Sequence, residues 1–415
     1  MREISHSHQV LQSVERKTKE GERTMTYRLR DYQQQASDAA IRFFRDTKSK
    51  KNAIMVLPTG SGKSLIIADI AARLDGHVLV FQPSKEILEQ NYKKLCSYGV
   101  LDCSIYSASM GKKEVSRITF ATIGSVKNRP ELFQHFQYII IDECHLVNPK
   151  EGMYRDFLSM LRCKVLGLTA TPYRLSSNRD FGAMLKFITR TRPCVFSDVI
   201  YQVQISTLLD MSYLAKLRYF HLPPPCWDSR NLQVNTTGAD FTDKSVVKEY
   251  ERTDLYGWLV QIVTRLLHNT KTGIRRKGIL VFTRFLKEAE LLTRSIPGTA
   301  IVSGDTPKAT REMILKRFKA GEIPVVANVG VLTTGFDYPE LDTIVMARPT
   351  MSLALWYQIV GRAIRPHPDK EEGWIVDLAG NLPRFGEVKD LRLVDGGNGK
   401  WAVWSKGRQL TNVYF

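Results

Sequence analysis

Leu57-Pro58-Thr59-Gly60-Ser61-Gly62-Lys63-Ser64 is the stretch on which the reading of this chain turns. It lies between an apolar run at residues 52–57 and a helical pattern at 64–74, where a buried strand gives way to a helix. Glycines at such a place let backbone N–H groups wrap phosphate oxygens, and the helix N-terminus adds partial positive charge. In the phosphate-loop pattern G-x-x-x-x-G-K-[ST], Lys63 reaches the β and γ phosphates and the Ser64 hydroxyl ligates Mg²⁺. The general pattern asks for glycine at position 57, where this chain has Leu57. A chance glycine turn would not need the strand-to-helix setting.

The same rhythm extends on both sides. Further short runs rich in Val, Ile and Leu fall at 77–82, 118–122, 138–142 and 164–169, with a helical stretch at 85–98 between the first two. Runs of this kind suit strands buried on both faces, and strand–helix–strand spacing means a parallel sheet covered on both sides. The rhythm breaks after about residue 192 and resumes near 278. A second set of strands is expected at 278–283, 299–303, 324–329, 341–347 and 373–378, with helices at 286–295, 308–320 and 352–364. Between the two sets lie Pro223-Pro224-Pro225, a polar stretch at 235–240 and a helical pattern at 256–269. The fold class is therefore α/β, with two parallel-sheet lobes joined by a connector.

A second chemical signal is Tyr138-Ile139-Ile140-Ile141-Asp142-Glu143-Cys144-His145. Paired carboxylates after four apolar residues fall at the C-terminal edge of the sheet, where α/β ligand sites form. Asp142 can hold Mg²⁺ through water, and Glu143 can take the proton of a water attacking the γ-phosphate. Alone, such a pair is often a helix cap with a first-turn acid. The phosphate loop some 80 residues upstream favours the chemical reading.

Composition points the same way. The 415 residues are 43% hydrophobic and 25% charged, as in ordinary globular proteins and unlike disordered chains. Lys plus Arg number 60 against 42 Asp plus Glu, a net charge of +18, so a polyanion is the expected partner. Six cysteines form no C-x-x-C pair, no zinc spacing and no disulfide framework. No apolar run is long enough for a membrane span, and Met1-Arg2-Glu3-Ile4-Ser5-His6-Ser7-His8 lacks the apolar core of a secretory signal. A cytoplasmic protein with no membrane partner is expected.

With these residues in hand, Asp142-Glu143-Cys144-His145 resembles the DExH (here DECH) box of superfamily 2 helicases, and other motifs follow in that family's order. The phosphate loop has the T-G-x-G-K-[ST] form that such helicases use. Arg30-Asp31-Tyr32-Gln33 resembles the Q motif, in which Gln33 reads adenine; an amide can donate and accept at once. Residues 78–91, 122–126, 281–286 and Ser303-Gly304-Asp305-Thr306 resemble the segments that touch the nucleic-acid backbone. Thr169-Ala170-Thr171 resembles the motif linking hydrolysis to lobe movement. Residues 328–339, with Leu332-Thr333-Thr334-Gly335-Phe336-Asp337, look like the motif that touches both the sugar of ATP and the strand. Gln358-Ile359-Val360-Gly361-Arg362-Ala363-Ile364-Arg365 is similar to the Q-x-x-G-R-x-x-R signature, with Arg362 and Arg365 as arginine fingers.

The resemblance implies two tandem RecA-like P-loop lobes. The expected layout is a flexible leader at 1–24, a first lobe at 25–195, a connector at 196–270, a second lobe at 271–380 and an extension at 381–415. It implies a nucleic-acid-dependent ATPase or helicase using ATP and Mg²⁺. Nucleotide contacts fall to Gln33, Thr59, Gly60, Ser61, Gly62, Lys63, Ser64, Gly335 and Asp337; Ser64 and Asp142 hold the metal. Glu143, Gln358, Arg362 and Arg365 carry the catalysis. Several stretches look closest to the RadD-like DNA-repair branch, without its cysteine-rich C-terminal region. The expected partner is single-stranded or forked DNA, with RNA as the alternative, bound by a monomer. A duplex translocase, a restriction-type motor subunit and an ATP-gated clamp remain alternatives. The aromatic, basic stretch from Trp401 is open to two readings, a stacking surface for bases or packing on the edge of the second lobe.

Overall fold

A computed structural model describes residues 28–178, 182–268, 276, 278–332 and 338–414. The leader at 1–24, and Gly335 and Asp337, lie outside the described residues. The fold is mixed α/β, with two parallel sheets flanked by helices. By their contacts the described residues form two compact units, one within 28–50, 62–142 and 151–166 and the other within 51–61, 143–150 and 167–414.

In the first unit the strands lie in the order Tyr138–Asp142, Val78–Phe81, Ile118–Ala121, Cys103–Ser107, Lys112–Lys113. The first four are parallel, and only the last pairing is antiparallel. Val78–Phe81 and Ile118–Ala121 are buried at every position, which is why both read as continuous apolar runs. Helix Asp31–Arg45 is tied to helix Lys63–Arg73 by a polar cluster. Ser37 donates to Asp69, while Arg73 bonds Ser37 at 2.9 Å, Asp69 at 3.2 Å and Asp38 at 2.7 Å. Lys164 clips the far end of the first helix, its ammonium donating to the carbonyls of Phe43 and Asp46 at 2.6 and 2.7 Å.

In the second unit strand Ala53–Val56 runs parallel with Asp198–Gln202. A second, six-stranded sheet has the order Lys216–His221, Glu372–Asp377, Thr343–Met346, Ile279–Thr283, Val325–Val329, Thr299–Val302, parallel throughout. Helices Leu255–Leu267 and Leu286–Ser295 cover one face of it, closing a core that includes Val263, Leu292, Val281 and Val345. Helix Leu353–Ala363 lies against Thr343–Met346 and Glu372–Asp377.

Three parallel strands escaped the sequence reading. Cys103–Ser107 and Asp198–Gln202 mix polar with apolar residues, and Lys216–His221 alternates. The last two are only half-buried, and so lack the unbroken apolar runs of central strands. Antiparallel pieces also appear. Tyr173–Asn178 and Gly182–Phe187 form a hairpin, and Leu391–Asp395, Trp401–Ser405 and Arg408–Gln409 form a small sheet. Trp401–Ser405 is thus the middle strand of a folded element, with Ala402 and Val403 buried. The sheet is bonded to the hairpin, Asn412 donating its N–H to the Leu185 carbonyl at 2.6 Å and accepting from Phe187 N–H at 3.0 Å.

Candidate active site

The phosphate loop begins in the second unit and ends in the first, the boundary falling between Ser61 and Gly62. The acid box crosses in the other direction, between Asp142 and Glu143. Each half has its own geometry.

In the first unit Gly62 stands at φ +80° and opens helix Lys63–Arg73 with no side-chain cap. A left-handed residue there costs an L side chain about 1–2 kcal/mol, and glycine nothing. A Cβ on Gly62 would also lie 2.5 Å from Nε2 of Gln33. The predicted adenine reader is therefore packed on the loop. Its Oε1 accepts from the Arg30 N–H at 2.9 Å, which fixes the amide's orientation. Ser64 Oγ donates to Asn91 Oδ1 at 2.6 Å, and Asn91 Nδ2 donates to Gln82 Oε1 at 3.0 Å. Asp142, buried, ends its strand. A serine oxygen whose proton is directed away and a carboxylate at a strand end are hard oxygen donors that fit Mg²⁺. Lys63 is half-buried at the helix start.

In the second unit Leu57 N–H is anchored on the Thr169 carbonyl at 2.9 Å, and Ser61 N–H turns back onto the Pro58 carbonyl at 3.1 Å. Gly60, at φ +83°, lies close to Leu214. Helix Leu353–Ala363 passes beside this part of the loop. A Cβ on Gly361 would meet Thr59 Cβ at 2.9 Å, so the close approach requires glycine. Tyr357, one turn before Gly361, is buried with its hydroxyl on the Thr59 backbone N–H, and burial pushes its phenol well above the usual range.

Glu143 adopts φ +50°, unusual for a residue with a side chain. Its carboxylate lies 3.3 Å from His145 Nδ1, which also contacts Thr169 Oγ1 at 2.9 Å and Thr171 Oγ1 at 3.2 Å. One imidazole thus joins the acid box to Thr169-Ala170-Thr171. Cys144 is buried on Gly167, where a Cβ would lie 2.6 Å from its sulfur, so it is a packing residue. Burial pushes the Arg362 guanidinium down to about 10 while the Glu143 charge pulls it back up. Burial likewise takes Arg365 to about 10. Both remain cationic at neutral pH. Gln358 is half-buried on the same helix.

Of the predicted residues, the second unit brings Thr59, Gly60, Glu143, Arg362 and Arg365 into one neighbourhood, and the first gathers Gln33, Gly62 and Ser64. Asn91, His145 and Tyr357 were not singled out from the sequence. Only His145 carried a signal, as the last letter of its box. Arg284, in a stretch expected to touch nucleic acid, is committed to Asp240, Asp243 and the Phe241 carbonyl.

Residues 26–174 match the family model "Type III restriction enzyme, res subunit", and residues 258–367 match "Helicase conserved C-terminal domain". The chain is 26% identical over 337 residues to the "51.5 kDa protein" of a Lactococcus phage, covering 79% of this chain and 66% of that one. It is 27% identical over 379 residues to the "DNA 3'-5' translocase XPB2" of Sulfurisphaera tokodaii, covering 83% and 80%. The chain spans about half to two thirds of the length of several relatives it matches. Its fold resembles the type ISP restriction-modification enzyme LlaBIII bound to DNA, with a TM-score of 0.64 at 18% identity over 85% of this chain and 28% of that one. No helix among the described residues is long and apolar enough to cross a membrane.

Proposed function

We propose that this chain, a superfamily 2 helicase by its family matches, is a nucleic-acid-dependent ATPase that converts hydrolysis into movement along DNA, in repair or recombination. The observation that carries the reading is the buried Arg362 guanidinium under the influence of Glu143, on a helix whose Gly361 touches Thr59 of the phosphate loop. A general base and a cation facing one loop form the set that phosphoryl transfer needs.

Lys63 and the N–H groups around Gly60 and Gly62 cradle the triphosphate, and the Gln33 amide reads the base. Glu143 accepts a proton from the attacking water as its oxygen bonds to the γ-phosphorus and the bond to the bridging oxygen breaks. Arg362 and Arg365 spread positive charge over the phosphoryl oxygens in the transition state. His145 holds the Glu143 carboxylate while contacting Thr169 and Thr171, so the base and the linkage motif move together. Ser64 and Asp142 are the residues that would hold Mg²⁺, which neutralises phosphate charge when bound.

In this reading the track is single-stranded or forked DNA; the net charge of +18 supports a polyanion, and the DNA name of the Sulfurisphaera tokodaii relative supports DNA. The test is the ATPase rate of wild type and Glu143→Gln with single-stranded DNA, duplex, fork and RNA at fixed low salt. DNA should stimulate wild type most, and Glu143→Gln should bind ATP without turnover. Stimulation by RNA alone would overturn the assignment of the track. With about 6–10 phosphate contacts, DNA affinity should fall roughly 10³–10⁵-fold between 50 and 200 mM salt. A duplex-translocating, restriction-type motor is the second reading, favoured by the family model over 26–174. Triplex displacement without strand separation would select it.

A further inference from the structure

The Ser64 hydroxyl is held by a residue that none of the helicase motifs above assigns to it. A serine oxygen that ligates a cation keeps one proton, and that proton needs an acceptor on the side away from the metal. Asn91 supplies one, its Oδ1 accepting from Ser64 Oγ at 2.6 Å. The other end of the same amide donates to Gln82 Oε1 at 3.0 Å. Asn91 is 7% exposed and Gln82 1%, so the bond between them is shielded from bulk water, while the Ser64 end is half-buried.

These two residues bracket one segment. Gln82 follows strand Val78–Phe81, and Asn91 lies in helix Lys85–Ser97. That helix is fixed at its start, where Ser84 accepts from the Ile87 N–H at 3.3 Å and the Lys85 ammonium donates to the Ser109 carbonyl at 2.8 Å. The end of the strand thus holds the amide in the middle of the helix, and that amide holds the hydroxyl. The segment between them resembles a stretch that touches the nucleic-acid backbone. A shift of that segment must move the acceptor on which Ser64 depends.

We propose that Asn91 is the positioning residue of the Ser64 hydroxyl, and that through it nucleic acid held at the start of helix Lys85–Ser97 strengthens Mg²⁺ binding at the nucleotide site. The inference rests on the ATPase reading above. Coupling between two sites is reciprocal and typically amounts to 5–150-fold in affinity.

The test is equilibrium binding of a fluorescent ADP to the full chain while Mg²⁺ is titrated, with and without an oligo-dT strand. In wild type the strand should lower the Mg²⁺ midpoint about fivefold or more. Asn91→Leu should raise that midpoint about tenfold, the loss of one hydrogen bond of about 1.4 kcal/mol. It should also abolish the response to the strand while leaving Mg²⁺-free ADP binding intact. Asn91→Asp should restore both. Its carboxylate still accepts from Ser64, and Gln82 Nε2, buried with no hydrogen-bond partner among the described residues, can turn to donate to it. If Asn91→Leu fails to fold, Gln82→Leu carries the same prediction in smaller measure. A wild-type midpoint in Asn91→Leu overturns the positioning role, and an undiminished response to the strand overturns the link. Failure of wild type to bind ADP at all would instead defeat the ATPase reading, with Lys63→Ala as the reference for lost binding.

Discussion

Each sheet sends a buried parallel strand into a helix at its C-terminal edge, and the two junctions are finished in opposite ways. After Ala53–Val56 the chain passes through a glycine loop, and helix Lys63–Arg73 starts from Gly62 without a side-chain cap. After Ile279–Thr283 it enters helix Leu286–Ser295 within three residues, and a carboxylate occupies the junction. Glu288 Oε1 accepts from the backbone N–H groups of Arg284 and Phe285, each at 3.3 Å. Helix N-termini carry N–H groups that must be satisfied and that attract anions. The second junction meets that demand with its own glutamate. The first, with no side chain in the position, suits an anion from outside. Glu288 bears a cost of enclosure, since burial pushes its carboxyl up to about 7 against the pull of those N–H groups and of Arg284.

The largest effect tests whether the open junction is catalytic. Arg365→Ala should bind ATP yet hydrolyse it about 10³–10⁵-fold more slowly, the usual size of an arginine-finger contribution. A single-turnover assay separates the two, and near-normal hydrolysis would show that Arg365 does not face the phosphate loop. Next in size is closure of the open junction. Gly62→Ala places a Cβ in a left-handed conformation, at about 1–2 kcal/mol, and drives it against Gln33. ADP affinity should fall about tenfold or more, since each 1.4 kcal/mol is a factor of ten. Unchanged affinity by calorimetry would mean that the glycine serves some other end.

The smallest effect concerns the closed junction. Glu288 has a folded pKa raised from its ordinary 4.5 to about 7, so the native state holds a proton that the unfolded chain releases. Its stabilising contribution is present below about pH 4.5 and is lost as pH rises through 7. Glu288→Gln keeps the acceptor oxygen and removes this loss. It should flatten that part of the pH dependence and stand about 3 kcal/mol above wild type at pH 8. Denaturant unfolding at pH 5 and pH 8 reads the difference, and parallel behaviour of the two proteins would show that Glu288 does not titrate as described.

Much of the arrangement was legible because buried strands cannot hide. Val78–Phe81, Tyr138–Asp142 and Ile279–Thr283 are enclosed on both faces, so nearly every residue must be apolar. Lys216–His221 escaped because an edge strand meets water and alternates. The loop glycines were legible as well, since only glycine tolerates φ near +80° without strain. Asn91 was not, because an asparagine in an amphipathic helix looks like any polar face residue until its neighbour is known.

Sequence by itself determined the α/β class, the central strands, and the residue types at the phosphate loop, acid box and arginine helix. Those depend on local burial and on short-range backbone conformation, both of which leave their pattern in consecutive residues. Tertiary structure alone decided that His145 joins Glu143 to Thr169 and Thr171, that Gly361 lets a distant helix touch Thr59, and that Asn91 holds Ser64. Apart from the neighbouring Glu143 and His145, these contacts join residues 24 to 302 positions apart in the chain, and no local preference of either partner encodes them.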